Sequence, residues 1–160
     1  MKRIFLFFCV LALITACQRE ESVSHKGNSP LHIDETTLKK GDIIQPFSYI
    51  NPDDHDWKVE IRISGEDLHD IAHKRMRSRR FWTSEAEVLN KIRQWKFKYG
   101  KGITHNATST LRIYRDNVLI EKHGIVMEKK TFGFQSSKYG NLQPLDDEEM
   151  FRTIEEMNHF

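Results

Sequence analysis

Residues 57–64 have the sequence WKVEIRIS, in which apolar and polar side chains alternate. Because successive side chains of a strand point to opposite faces, a period of two predicts a strand with one face in the core and a charged face outside. An earlier strand is predicted at 47–50 (FSYI), and the turn-forming sequence NPDD at 51–54 joins the two. These residues therefore predict the start of a half-buried sheet.

Two helices are predicted after this strand. The first begins at Ser64, where SGED approximates a capping box, and its apolar residues follow at helical spacing as far as Met76. The second begins at Ser84, three residues before a glutamate, and ends by Gly100 or Gly102, since glycine commonly terminates helices. Each helix has an apolar stripe on one side, so both are expected to pack against the core.

The chain returns to a period of two in its second half. A hairpin is predicted over 111–120 with its turn at 116–117, followed by a turn at 123–124 and a third strand over 125–134. Acidic residues at 146–149 then open a last helix, because carboxylates suit the positive end of the helix dipole. The predicted order, ββααβββα, is that of a small single α+β domain with a mainly antiparallel sheet, two central helices and a C-terminal helix.

The composition fits such a domain and excludes several other classes. Of the 160 residues, 38% are hydrophobic and 30% are charged, and the formal net charge is +2. Collagen-like, mucin-like and multi-pass membrane proteins have other compositions, and a wholly disordered chain would be less apolar. The chain is long enough to bury the core of one domain.

Residues 1–16 predict an export signal. Lys2 and Arg3 form a short basic start, and the 13 residues of 4–16 are uncharged. A run of that length is shorter than the ~20 apolar residues that a membrane-spanning helix needs. A basic start, a short apolar run and small residues at its end are typical of a secretory signal peptide.

The end of this segment, Ile-Thr-Ala-Cys at 14–17, resembles the lipobox of bacterial lipoprotein precursors. The resemblance implies that Cys17 is joined to a diacylglycerol and acylated, that residues 1–16 are removed, and that acyl chains hold the protein on a membrane. It also implies the outer membrane, at its periplasmic face, because Gln18 stands where an aspartate retains such proteins at the inner membrane. The alternatives are an ordinary cleavage after Ala16 and an uncleaved, membrane-anchored start.

The rest of the chain divides into a tether and a folded domain. Residues 17–30 are the lipid-bearing cysteine and a polar segment that cannot bury a core, and residues 31–160 are the single α+β domain. Both cysteines, Cys9 and Cys17, precede this domain, so the sequence predicts no disulfide, thiol nucleophile or cysteine metal site in it. The 25 basic residues less the two in the signal peptide leave 23, which balance 23 acidic residues.

One histidine pair could hold a metal ion. His69 and His73 are four residues apart on the first predicted helix, so they share a face. The sequence HDIAH approximates the zinc-protease pattern H-E-x-x-H, but an aspartate replaces the glutamate base and no third ligand is evident apart from His55. We therefore expect no cofactor and no enzyme activity, with a metal-dependent hydrolase at this pair as the alternative.

Charge is distributed unevenly along the domain. Residues 73–101 contain ten Lys or Arg against two acids, and residues 146–160 contain six acids against one Arg. An exported protein rarely meets nucleic acid, so the basic segment points to an acidic protein surface, anionic phospholipid or anionic cell-wall polymer. The other interpretation is intramolecular, with the acidic last helix lying against the basic helices.

The sequence favours a lipid-anchored, non-enzymatic envelope protein that binds another protein. It would be an immunity-type inhibitor or an accessory subunit of an envelope or secretion complex, with no nucleic acid and no small-molecule substrate. The expected contact surface is Arg75, Arg79, Arg80 and Trp82. The alternative is a module that binds cell wall or anionic lipid through the same residues.

Overall fold

The computed structural model describes residues 37–71, 76–101, 106–129 and 131–159. Within these ranges one sheet is formed by eight strands: β1 (Ile43–Ile44), β2 (Trp57–Arg62), β3 (Arg80–Thr83), β4 (Phe97–Tyr99), β5 (Ser109–Arg115), β6 (Val118–Met127), β7 (Phe132–Ser136) and β8 (Gly140–Pro144). The same ranges contain three helices: α1 (Gly65–Asp70), α2 (Ala86–Gln94) and α3 (Asp147–His159). The chain forms a small α+β domain, which confirms the predicted fold class.

The sheet is antiparallel throughout. Its strands are ordered β1-β4-β8-β7-β6-β5-β2-β3. Strands β5 to β8 form a central meander, with β2 and β3 added on one side and β4 and β1 on the other. Helix α2 connects β3, at one edge, to β4, next to the opposite edge, so this part of the chain crosses the sheet along one face.

The core lies between that face and the two longer helices. In β2 and β5 the inward side chains are fully buried, among them Val59, Ile61 and Ile113. The helices α2 and α3 add one buried apolar stripe each, made of Val88, Leu89, Ile92, Met150, Phe151, Ile154 and Met157. Burying such a side chain contributes about 1.5–3 kcal/mol, so this apolar contact holds the helices on the sheet.

Aromatic rings fill the middle of the core. The Phe47 ring is edge-on to Trp95, with 6.0 Å between ring centroids, and to Phe97 and Phe134, with 5.9 Å in both cases. Edge-to-face pairs of this kind contribute about 0.5–1.5 kcal/mol beyond the burial of their area. Because Phe47 precedes β2, these contacts attach the segment between β1 and β2 to the central meander.

The first strand lies earlier than predicted. Residues 47–50 form turns, and the strand of this region is β1 at Ile43–Ile44. Phe47 and Ile50 are nevertheless buried. The prediction was wrong because an apolar run that packs as a turn has the same composition as a short buried strand.

The first helix is shorter than predicted. Helix α1 ends at Asp70, and Met76 lies outside any helix. The segment that was expected to separate two helices instead contains the edge strand β3 at Arg80–Thr83. Its buried and exposed residues do alternate, but four residues are too few to give a clear period.

The second helix is also shorter than predicted. Helix α2 ends at Gln94, before Gly100, and β4 follows at once; Gly102 lies outside the described residues. The chain leaves the helix early because Phe97, the first residue of β4, faces the core and is fully buried beside Phe134. A strand of three residues is too short to show a period of two in the sequence, so β4 was not predicted.

The predicted turn at 123–124 is also wrong. Strand β6 continues through it from Val118 to Met127, and β7 begins only at Phe132, so the predicted third strand over 125–134 contains the real turn. His123 is buried in the core, where it faces the Phe47 ring. The sequence His-Gly thus predicted a turn, whereas in the structure both residues belong to a strand and are needed for packing.

Gly124 lies where another segment crosses the sheet. A Cβ atom placed on Gly124 would come within 2.6 Å of the Cβ of Ala107. The backbone N–H of Ala107 donates to Oε1 of Gln135 at 3.2 Å, which fixes the crossing segment. The close approach of the two chains therefore requires glycine at this position of β6.

Gly124→Ala is expected to lower the free energy of unfolding by about 1–3 kcal/mol, because the added methyl group overpacks the crossing. Denaturant unfolding followed by tryptophan fluorescence measures the change. Gly65→Ala is the matched control, since a Cβ there meets only Arg79, with its nearest atom at 3.6 Å. Equal stability of the wild type and Gly124→Ala would contradict the crossing.

Candidate partner-binding face

The outward side of β2, β3, β5 and β6 carries most of its charge as cations. Directly opposed residues of antiparallel strands project to the same face, so the strand register defines the members of this surface. We call it the basic face, and it consists of Lys58, Glu60, Arg62, Arg80, Trp82, Arg112, Tyr114 and Lys122. Helices α2 and α3 pack on the opposite face.

Glu60 is the acidic member of the basic face and organises two of its arginines. Its side chain forms an ion pair with Arg62, and Oε2 accepts from Nη2 of Arg80 at 3.0 Å. Burial alone would raise the pKa of Glu60, but the hydrogen bonds and charges of the two arginines hold that pKa below its ordinary value. The carboxylate is therefore charged at neutral pH and fixes both guanidinium groups.

An aromatic pair surrounds the lysine of β2. The Nζ atom of Lys58 lies 4.7 Å from the centroid of the Tyr114 ring and 6.0 Å from that of the Trp82 ring. Cations at such distances are attracted to the ring faces. Trp82 keeps 55% of its surface exposed, so this cation–aromatic group is open to a partner.

Arg112 and Lys122 are opposed in the register of β5 and β6. Arg112 is also opposite Glu60 on β2, but Glu60 already pairs with the two arginines of its own side. The Nε atom of Arg112 is buried and has no hydrogen-bond acceptor within the described residues. The centre of the basic face therefore holds positive charge that this part of the chain does not neutralise.

The open edge of β3 is partly closed by a side chain. Ile63 donates to the carbonyl of Arg79 at 2.8 Å, so the backbone groups of Arg80 point away from β2. The Ser78 hydroxyl accepts from the N–H of Arg80 at 3.2 Å and donates to its carbonyl at 2.8 Å. This cap occupies backbone groups that an added strand would need, so the face, rather than the edge, is the better contact surface.

The structure divides the four residues that the sequence indicated as a contact surface. Arg80 and Trp82 lie together on the basic face, on a strand and not on the predicted helix. Arg79 lies beside the start of α1, where its guanidinium group approaches Gly65. Arg75 lies outside the described residues.

Six members of the basic face were missed by the sequence analysis: Lys58, Glu60, Arg62, Arg112, Tyr114 and Lys122. A signal for five of them was present, because they are the polar alternates of β2 and β5, whereas Lys122 lies beyond the hairpin predicted over 111–120. Alternation shows which side chains face outward, but only the strand order shows that they are neighbours.

The acidic helix contacts the basic part of the chain at one side of the domain. The Nζ atom of Lys91 on α2 lies 2.8 Å from Glu156 of α3 and 3.1 Å from Glu87 of its own helix. Asn158 donates to the carbonyl of Ser78 at 2.8 Å and accepts from its N–H at 3.1 Å. The intramolecular interpretation therefore accounts for Lys91, whereas the basic face lies on the other side of the sheet.

The proposed histidine pair is not assembled in the described part of the chain. His73 lies outside it, and the side chain of His69 is 89% exposed, with Nδ1 3.7 Å from the carboxylate of Asp70. Within the described residues no three His, Cys, Asp or Glu side chains are grouped as a metal site would need. Cys17 and the whole of 1–36 also lie outside the described residues.

A polar pair of one buried and one partly buried side chain lies on the inward side of β6. The Nε2–H of His123 donates to the Glu121 carboxylate at 2.9 Å. Burial raises the pKa of Glu121, but the His123 hydrogen bond, the Tyr49 hydroxyl and the charge of Lys138 together hold that pKa below its ordinary value. Burial and the charge of Glu121 also raise the pKa of Tyr49, which stays protonated.

The sign of the Glu121 shift makes the fold sensitive to acid. A carboxylate whose pKa is lower in the folded chain stabilises the fold above its unfolded pKa of about 4.3, and this contribution disappears as the pH falls through the folded pKa. Glu121→Gln should therefore lower the free energy of unfolding at pH 7, and its difference from wild type should shrink below a pH of about 4.

Denaturant titrations at several pH values measure this difference. The control is Glu87→Gln, which removes a carboxylate that is 80% exposed on α2. We expect the control to change stability little at any pH, because exposed ion pairs contribute little. A Glu121→Gln difference that is constant with pH would contradict the proposed linkage.

Comparisons with known proteins found no match for this chain, whether among family models, curated proteins or solved structures. Within the described residues no helix is long and apolar enough to cross a membrane.

Proposed function

We propose that this chain is a lipid-anchored protein of the bacterial envelope that binds an acidic partner protein through the basic face. The observation that carries the proposal is the grouping of five cations and two aromatic rings around a single carboxylate on the side of the sheet opposite α2 and α3. The lipobox-like sequence at 14–17 supports the anchor.

The residue types on this face favour a protein partner. Arginine, tryptophan and tyrosine are the side chains that most often dominate binding energy at protein interfaces. Here the Arg62 and Arg80 guanidinium groups are held by Glu60, so less side-chain freedom is lost when a partner binds. An immunity-type inhibitor and an accessory subunit of an envelope complex would both use such a fixed surface.

Charge also determines how the partner is reached. Clustered cations attract an acidic surface during diffusion and raise the rate of association, an effect that salt screens over about 8–10 Å. The same cations would attract an anionic polymer or lipid headgroup, so binding without any protein is the competing outcome. The apolar and aromatic area beside the cations favours the protein partner.

The lipid anchor predicts the fate of a Cys17→Ser variant. Without the thiol no diacylglycerol can be attached, so the variant should lose the incorporation of an alkyne-labelled fatty acid and leave the membrane fraction. Intact-mass analysis of the wild-type chain should show a start at Cys17 with a mass increase of acyl chains. A mature chain that begins at Cys17 without this increase would contradict the anchor.

The partner proposal predicts the effect of reversing charge on the basic face. The variant Arg80→Glu with Trp82→Ala should weaken capture of the partner from envelope extract at least tenfold, because one cation and one aromatic ring of the basic face are lost. Full-length tagged protein in detergent is the bait, and cross-linking with mass spectrometry identifies a stoichiometric partner and the contacting residues.

The control for this experiment is Arg152→Glu, which reverses an exposed arginine on α3, away from the basic face. Denaturant unfolding of each variant shows that the fold is retained. Equal capture by wild type and by the basic-face variant would contradict the proposed surface. Retention of anionic polymer or lipid in place of any protein would favour the competing function.

A further inference from the structure

We infer that Arg112 and Lys122 form the centre that receives an anion on the basic face, and that this anion is a carboxylate of the partner protein. The inference rests on the proposed function, because it names the chemistry of the same surface. It depends on which cations of the face already have partners and on what surrounds those that do not.

The cations of the basic face divide into two groups. Arg62 and Arg80 both form ion pairs with Glu60, whose single charge offsets one of their two. Lys58 lies between aromatic rings, and its Nζ also donates to Oδ1 of Asn117 at 3.3 Å. These three are therefore fixed by groups of the chain itself.

The second group consists of Arg112 and Lys122, which have no ion pair within the described residues. They are opposed on β5 and β6, so their charges repel and neither neutralises the other. The buried Nε atom of Arg112 has no hydrogen-bond acceptor there, so within the described residues no carboxylate or carbonyl satisfies this nitrogen. An external anion would remove the repulsion and restore the missing electrostatic partner.

The half-buried position of Arg112 favours a planar anion. Arg112 is partly buried on β5, which lies between β2 and β6 in the sheet. Its planar guanidinium fork matches the two oxygens of a carboxylate, which it can bind through two parallel hydrogen bonds. Lys122 is exposed and adds a second charge without a fixed geometry.

Apolar side chains border this centre on both sides. Trp82 lies on β3 at one side, and Leu119 of β6, which is 44% exposed and opposed to Tyr114, lies at the other. Adjacent strands are about 4.8 Å apart, so three spacings place β3 and β6 roughly 14 Å apart. Charged groups with apolar side chains on either side of them are typical of a protein interface.

The test uses three small probes whose charge is known: hexaglutamate, inorganic phosphate and glycerol phosphate. Calorimetry at low salt with the full-length chain in detergent should give tighter binding of hexaglutamate than of either phosphate. Arg112→Gln should weaken hexaglutamate binding at least tenfold, Lys122→Gln should weaken it several-fold, and Arg152→Gln should leave it unchanged.

Lys122→Gln keeps the test valid if Arg112→Gln does not fold, because Lys122 is exposed. Tighter binding of the phosphates would overturn the carboxylate and point to lipid or polymer headgroups. Unchanged hexaglutamate binding in both variants would overturn this centre. If hexaglutamate binding is unchanged but the variant Arg80→Glu with Trp82→Ala fails to capture the partner, only this centre is wrong and the proposed function stands. If that variant captures the partner as the wild type does, both proposals fail.

Discussion

The alternation of side chains along β2 and β5 couples the core of this domain to its charged surface. Each strand has apolar residues on one side and charged residues on the other, so the burial that fixes the register also fixes which charges become neighbours. A shift of one residue would place Arg112 in the core and Ile113 in solvent. The free energy that holds the sheet together therefore also holds the basic face in one arrangement.

The covering of one face explains why charge can gather on the other. Helices α2 and α3 supply enough apolar surface to bury the inward side of the sheet, and aromatic rings around Phe47 fill the remaining space. Within the described residues no such layer covers the outward side of β2 and β3, so charged side chains there do not meet the packing that excludes charge from cores. Glu60 is the exception: it is buried within the outward side and charged, a state that its two arginines stabilise.

Parts of this structure followed from the sequence and others did not. Strand β2, the hairpin of β5 and β6, and helix α3 were predicted because each has a long and regular period. Strands of two to five residues, such as β1, β3 and β4, carry too few positions for a period, so tertiary pairing alone defines them. His123 and Gly124 misled because their composition is that of a turn, whereas their burial depends on Phe47 and Ala107 from distant parts of the chain.

On the contact surface too, the sequence analysis identified residues that are close together in the chain and missed those that become neighbours only in the folded sheet. Arg80 and Trp82 were identified from a basic, aromatic segment, although the segment was assigned to a helix. Lys58, Arg112 and Lys122 are separated by 54 and 10 residues in the sequence and share one surface only because β5 lies between β2 and β6. No local pattern contains that order, so the outward positions of each strand were interpreted singly as solvated charges.

Charge separation across the sheet has a further consequence for association. The chain carries 25 basic and 23 acidic residues, yet the basic face and the acidic helix α3 lie on opposite sides of the sheet. A domain of small net charge can therefore present a strongly positive side and a negative one, and the resulting field orients the molecule as well as attracting its partner. Because such orientation acts before contact, salt should slow association more than it speeds dissociation, whereas loss of the apolar contacts of Trp82 should act mainly on dissociation.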